Sequence, residues 1–194
     1  VEAHQNLHDY IETYVQAGCL IVKPKPHISF GVKSHATIYI SSEYIHSIDA
    51  SGGAEVEIPR GITADKMVLE GSGGSEFEGI VDANYLKIHL SGGGKAELDI
   101  NCDELNAKGT GGSTFEFDGE VMFMNLTLSG GGKCEGYNLY INESSVDLSG
   151  GSKATVTVSD YISGDLSGGS ELKYKGNAGT DVYTSGGSRV VHVN

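Results

Sequence analysis

From residue 51 to the end, the chain alternates apolar and polar positions with a period of two, and the alternation is reset at nearly equal intervals. Each reset is a Ser-Gly-Gly or Thr-Gly-Gly triplet. They begin at Ser51, Ser72, Ser91, Thr110, Ser129, Ser149, Ser167 and Ser185, with spacings of 21, 19, 19, 19, 20, 18 and 18 residues. A small residue follows each triplet, and two residues later comes an apolar column: Val56, Phe77, Ala96, Phe115, Cys134, Ala154, Leu172 and Val190. Polar residues flank that column on both sides, which is the pattern of a strand with one face buried. A second inward run closes each repeat, as in Leu86, Ile88 and Leu90, or Met124, Leu126 and Leu128, or Val146 and Leu148. Each repeat therefore reads as strand, turn, strand and glycine corner.

A fixed period in this range indicates a stacked array. Helical repeats are excluded, because no repeat carries an apolar stripe at helical spacing and β-branched and aromatic residues fill the alternating runs. Leucine-rich repeats need an asparagine or cysteine where Ser-Gly-Gly stands here, and propeller blades need about 40 residues each. A left-handed β-helix built from hexapeptides would hold a multiple of six. The expected fold is all-β, a single-domain right-handed parallel β-helix with about 19 residues per coil, the handedness following that of parallel crossovers. At ~3.3 Å per residue the coil perimeter is about 60 Å. Residues 31–194 are assigned to coils, the first of them an irregular one in which Gly31–Ser34 takes the corner and Ala36 and Ile38 the inward column. Residues 1–30 are read as an N-terminal cap with irregular first strands, covering an edge that would otherwise be open.

Composition refines this picture. There are 29 glycines among 194 residues; 16 lie in the doublets, and Gly94 and Gly132 extend two of them, so most glycine is corner material and not flexible linker. With 38% apolar residues the chain can bury a core. The 26 acidic against 13 basic side chains, a formal charge of -13, argue against nucleic acid or an anionic membrane surface as partner. No run reaches the ~18 apolar residues of a membrane-spanning helix. Cys19, Cys102 and Cys134 are odd in number and lack C-x-x-C spacing, which excludes a disulfide framework and reads as free buried thiols.

The recurring Leu-Ser-Gly-Gly-[Ser/Gly] at Leu90–Gly94, Leu128–Gly132, Leu148–Ser152 and Leu166–Ser170, the run Gly18-Cys19-Leu20-Ile21-Val22, and the segment from Ser167 to Gly176 resemble the head GIN domain of "putative autotransporter adhesins". The resemblance spans nearly the whole chain. It implies an exported bacterial protein at the cell surface, outer membrane-associated or periplasmic, with a β-helical fold. It brings no catalytic residues and no cofactor with it.

The candidate binding feature is a column of carboxylates, Glu57, Glu78, Glu97, Glu116 and Glu135, which parallel stacking would set ~5 Å apart. Such a face suits a cation or a calcium-bridged glycan, and equally a solvated, aggregation-resistant surface. Lys95 and Lys133 stand two positions from Glu97 and Glu135 and would offset part of the charge, leaving Glu55, Glu57, Glu76 and Glu78 unopposed. A surface glycan or protein is the partner class this suggests, together with self-association through the coil edges. No metal site is expected: His4 and His8 are four residues apart but lack a third ligand. Arg60 and Asp65, in the longest repeat, read as a loop ion pair. Tyr39, Tyr85, Tyr137, Tyr140 and Tyr183 occupy different positions within the repeats and form no aligned platform. The expected function is a non-catalytic, adhesin-like or structural module of the cell envelope. The alternative is a carbohydrate-active enzyme, a polysaccharide lyase or glycosidase, which would need paired carboxylates across a cleft.

Overall fold

The computed structural model describes residues 2–3, 8–27 and 36–194. The chain divides into two compact units, residues 1–43 and 44–194. In the first, β1 (Glu2–Ala3) precedes a hairpin of β2 (Ile11–Gln16) and β3 (Cys19–Pro24), and β4 (Ala36–Thr37) runs antiparallel to β1. The hairpin turns at Ala17 and Gly18, with φ of 51° and 79°, the two left-handed positions that match strand twist in a two-residue loop. β3 runs to Pro24, and the amide of Lys25 still donates to the Tyr10 carbonyl beyond it. The corner expected at Gly31–Ser34 lies outside the described residues. Ala36, expected to face inward, is exposed within the antiparallel pair, and Ile38 is only half-buried.

The second unit is the parallel β-solenoid. β5 (Ser47–Ala50), β6 (Glu55–Gly71), β7 (Glu76–Leu90), β8 (Lys95–Thr110), β9 (Thr114–Ser129), β10 (Lys133–Leu148), β11 (Lys153–Leu166), β12 (Glu171–Lys175), β13 (Gly179–Thr184) and β14 (Arg189–His192) form one ten-stranded sheet, each coil hydrogen-bonded to the next. The pairing repeats residue on residue: Val56 faces Phe77, Phe77 faces Ala96, and Ala96 faces Phe115. From Phe77 to Leu172 that column is fully buried, and Val56 and Val190 at the two ends are half-buried. The mid-coil turn expected from the sequence is made within the strand. Two successive outward residues, such as Asp103 and Glu104 between buried Cys102 and Leu105, turn the chain without breaking the ladder.

The glycine corners stack directly on one another. A Cβ on Gly73 would lie 2.9 Å from the Gly52 carbonyl oxygen, and Gly73 also holds φ at 72°, so glycine is required twice over. Two kinds of corner occur. The amides of Gly74, Gly93 and Gly112 donate to the carbonyls of Gly52, Gly73 and Gly92 in the coil below. From Gly130–Gly131 onward both glycines are left-handed. In that second kind the following serine closes the turn on itself: Ser152 and Ser170 donate their hydroxyls to the carbonyls of Ser149 and Ser167 at 2.7 Å. In the first kind that acceptor is not offered, and the buried hydroxyls of Ser75 and Ser113 have no partner.

Core volume is balanced between neighbouring coils. Where Phe77 and Phe115 fill the inward column, the residue before the corner is Gly71 or Gly109; where Ala96 and Cys134 stand, it is Leu90 or Leu128. A Cβ on Gly109 would lie 2.8 Å from both Phe115 Cε2 and Leu128 Cδ2. The ring thus occupies the leucine's place. Phe115→Ala is expected to cost about 3–5 kcal/mol and Gly109→Leu about 1–3 kcal/mol. The combined variant is expected to lose clearly less than both together, because the new leucine enters the space the ring leaves. Urea unfolding of the three variants checks this, and strict additivity would refute it.

Candidate functional site

The carboxylate column forms in register. Glu57 is paired with Glu78, Glu78 with Glu97, Glu97 with Glu116 and Glu116 with Glu135, and beyond it the column continues as Thr155. It follows from two local facts. Each glutamate stands one residue past the buried column and so must point outward, and coils here differ in length only before or after this strand segment. Two residues further on, Asp99 and Asp118 are paired in the same sense. All of these side chains except Glu57 line an open groove of about 850 Å³, which Ile80 and Tyr137 also border.

Lysines thread this wall. Lys95 Nζ lies 2.7 Å from Glu97, 3.3 Å from Glu116 and 3.7 Å from Glu76, and Lys133 pairs with Glu135. The hydrogen bond to Glu97, followed by that to Glu116, holds the Lys95 ammonium above the usual lysine range. Glu76, expected to stand unopposed, is therefore served by Lys95 from the next coil; Glu55, Glu57 and Glu78 have no ion pair among the described residues. Lys175 closes the groove's far end with its ammonium 4.5 Å from the Tyr137 ring centroid, a cation–π contact. A buried carboxylate sits near the last coil, where Arg189 grips Glu171 through Nε at 2.8 Å and Nη2 at 2.7 Å.

Other expected features resolve differently. Arg60 and Asp65 make no ion pair; Asp65 accepts a hydrogen bond from Asn84 Nδ2 at 2.7 Å. The side chains of His4 and His8 lie outside the described residues. Among the described residues no three His, Cys, Asp or Glu side chains converge closely enough to hold a metal ion. Two thiols are buried as expected, and Cys19 is not. Burial, with adjacent acidic groups, pushes the Cys102 and Cys134 thiols up to about 12. One feature escaped the sequence. Tyr85, Glu104, Phe123, Glu143 and Tyr161 are paired in succession along the mid-coil turn, although their offsets from the preceding triplet range from 12 to 14 residues.

Residues 1–178 match the family model described as "Putative auto-transporter adhesin, head GIN domain". Among solved structures, a putative adhesin of Parabacteroides merdae ATCC 43184 is similar with a TM-score of 0.87 at 17% identity, covering 99% of this chain and 81% of that one. A putative adhesin of Parabacteroides distasonis ATCC 8503 gives 0.81 at 21% identity, covering 98% and 82%. A protein of the same organism described as a putative lipid binding protein gives 0.83 at 20% identity, covering 99% and 82%. No curated protein matches the chain. Among the described residues no helix is long and apolar enough to cross a membrane.

Two outcomes follow from this geometry. Lys95→Met deprives Glu76, Glu97 and Glu116 of their shared cation; it is expected to lower stability by roughly 0.5–1 kcal/mol at low ionic strength and by less at high salt. Because the folded protein raises this lysine, the stabilisation is complete below the unfolded lysine's titration and fades as pH rises through the folded value; urea midpoints at low and high salt and across alkaline pH report both. For the thiols, a disulfide reagent applied to native protein should modify Cys19 rapidly and reach Cys102 and Cys134 only after unfolding, which mass spectrometry resolves.

Proposed function

This chain belongs to the family of "putative auto-transporter adhesins" bearing the head GIN domain, and from that membership we propose that it is a non-catalytic, exported module of the bacterial cell envelope that acts by adhesin-like binding. Its contact face is the glutamate column from Glu57 to Glu135. The observation that carries the proposal is the unbroken register of five carboxylates, four of which, from Glu78 to Glu135, line an open groove. Like charges directly opposed on neighbouring strands are mildly destabilising, and Lys95 and Lys133 offset only part of that row. A cation, or a partner bearing cations, relieves the rest. Hard divalent cations favour such oxygen ligands, and here the cation would bridge neighbouring coils instead of sitting in a closed cage.

The same geometry supports the non-catalytic reading. Glycoside hydrolysis uses two carboxyl groups on opposite sides of the scissile bond, whereas these acids lie in columns on one sheet surface and all face the same solvent. The coils bear no long insertion that would build a second wall of acids.

Calcium itself is the first probe. Millimolar calcium is expected to raise the melting temperature of the chain, because a ligand held by the folded state alone stabilises it by mass action. The Glu57→Gln/Glu78→Gln variant, which leaves the ion pairs of Lys95 and Lys133 intact, is expected to melt higher than the parent without calcium and to respond less to it. A parent indifferent to calcium would sink the cation-bridged contact. Release of new reducing ends from envelope polysaccharide would sink the non-catalytic reading.

A further inference from the structure

The mid-coil turn carries a second outward column, independent of the glutamates and unlike them in chemistry. Its core is Glu104, Phe123, Glu143 and Tyr161, each hydrogen-bonded coil to coil with the next. Tyr85 extends the row on one side, with Lys66 Nζ 5.1 Å from its ring centroid. On the other side the row ends at Gly179, which packs against the Tyr161 ring without a side chain of its own. Tyr161 Oη is 3.5 Å from Asp181 Oδ2, at the outer limit of a hydrogen bond. Phe123 is 46% exposed and Tyr161 43%, and Met122, next to Phe123 in the chain, is 47% exposed.

Two open aromatic rings in one column, separated by a single coil that presents a carboxylate, cannot be explained by the core. Phe123 is outward and solvated, in a position that Glu104 and Glu143 fill in the neighbouring coils. The spacing of the rings is two coil rises, about 9.6 Å. That is close to the length of one disaccharide in an extended β-linked hexose chain, whose flat sugar faces recur on the same side once per disaccharide. The intervening carboxylates and the flanking amides Asn84 and Asn142 offer hydroxyl groups the acceptors and donors they need. The charge of the surroundings narrows the partner further. Glu104, Glu143, Asp103, Asp160 and Asp181 all border this ridge, so an anionic lipid or acidic polysaccharide would be repelled.

We propose that the ridge formed by Phe123 and Tyr161, with Glu104 and Glu143 between and beside them, binds a neutral, extended β-linked glycan, each ring stacking on one sugar face. The site is separate from the glutamate column, and its ligand is uncharged. Amphipathic aromatic side chains suit this task because the ring supplies contact area while its surroundings stay wet.

Titration calorimetry of the whole chain with cellohexaose is the test, with laminarihexaose, whose linkage curls the chain, as comparison. Cellohexaose is expected to bind and laminarihexaose to bind more weakly. Phe123→Ala and Tyr161→Ala are each expected to weaken binding about tenfold, while Phe123→Tyr, which keeps a ring, retains it. Binding should persist at high salt, which separates it from any contact made by the glutamate column. Far-UV circular dichroism checks that the variants keep the parent's strand content. The proposal is overturned if no hexaose binds the parent, if Phe123→Ala binds as the parent does, or if the rings prove to bind phosphatidylcholine vesicles and no glycan.

Discussion

The second unit rests on one constraint: successive coils must stack in parallel and in register about 4.8 Å apart, including at their corners. Strand segments meet this readily, because side chains point into or out of the coil, perpendicular to the stacking direction. Corners do not. A Cβ on Gly73, Gly150 or Gly168 would lie 2.9 Å from backbone of the coil beneath, a separation the backbone cannot relieve without opening the ladder. The Ser-Gly-Gly repeat is the chemical answer, and it fixes everything downstream. Once the corners align, every position between them falls into a column, and each column must satisfy itself along its whole length.

Inward columns do so by volume. Phenylalanine beside glycine alternates with alanine or cysteine beside leucine, so that rings and leucine side chains from adjacent coils share one layer of core. Outward columns do so by charge and solvation, and there the magnitudes allow latitude. Two carboxylates 5 Å apart in water repel by about 0.8 kcal/mol, whereas burial of one leucine or phenylalanine contributes about 1.5–3 kcal/mol. A repulsive row of five glutamates is therefore affordable to the fold, more so with Lys95 shared between two of them. The corner serines show the same logic in miniature: one corner geometry provides Ser152 and Ser170 with an acceptor, and the other leaves Ser75 and Ser113 without one.

This hierarchy explains what could be read from the residues. The triplets announce the corners, and counting from them finds the buried column and the glutamate row, since both lie within six residues of a triplet and no bulge intervenes. Past that point the count drifts. Register shifts occur in β10 between Glu135 and Asn138 against β9, and between Gly136 and Tyr140 and between Ile141 and Glu143 against β11, so Phe123, Glu143 and Tyr161 share a column while their offsets from the preceding triplet are 13, 14 and 12 residues. Counting by offset keeps Tyr85, Glu104 and Phe123 together but loses Glu143 and Tyr161; the hydrogen-bond ladder gathers all five. Arg60 and Asp65 failed for a related reason. Nearness in sequence within the longest repeat mattered less than the coil above, where Asn84 reached Asp65 first. Near the N-terminus the apolar alternation was real, but it belonged to antiparallel pairing: Ala36 sits opposite Ala3 in a two-residue ladder, outside the corner repeat that the periodic pattern describes.

Inward volume and corner glycine thus specify the solenoid, and outward columns are left nearly free of it. Solved structures that share the fold at about one identical residue in five are what this predicts, because a substitution at Glu97 or Phe123 changes a surface column without touching the layer beneath. Such a scaffold can carry several unrelated binding columns at once, each built one residue per coil and each read at the pitch of the stack. A ligand that is itself periodic, an extended polymer with faces recurring every two coils, is recognised by exactly the feature that makes the fold, and that coincidence of repeat lengths is why the alternating ring and carboxylate ridge, and not the larger acidic groove, has the more selective geometry.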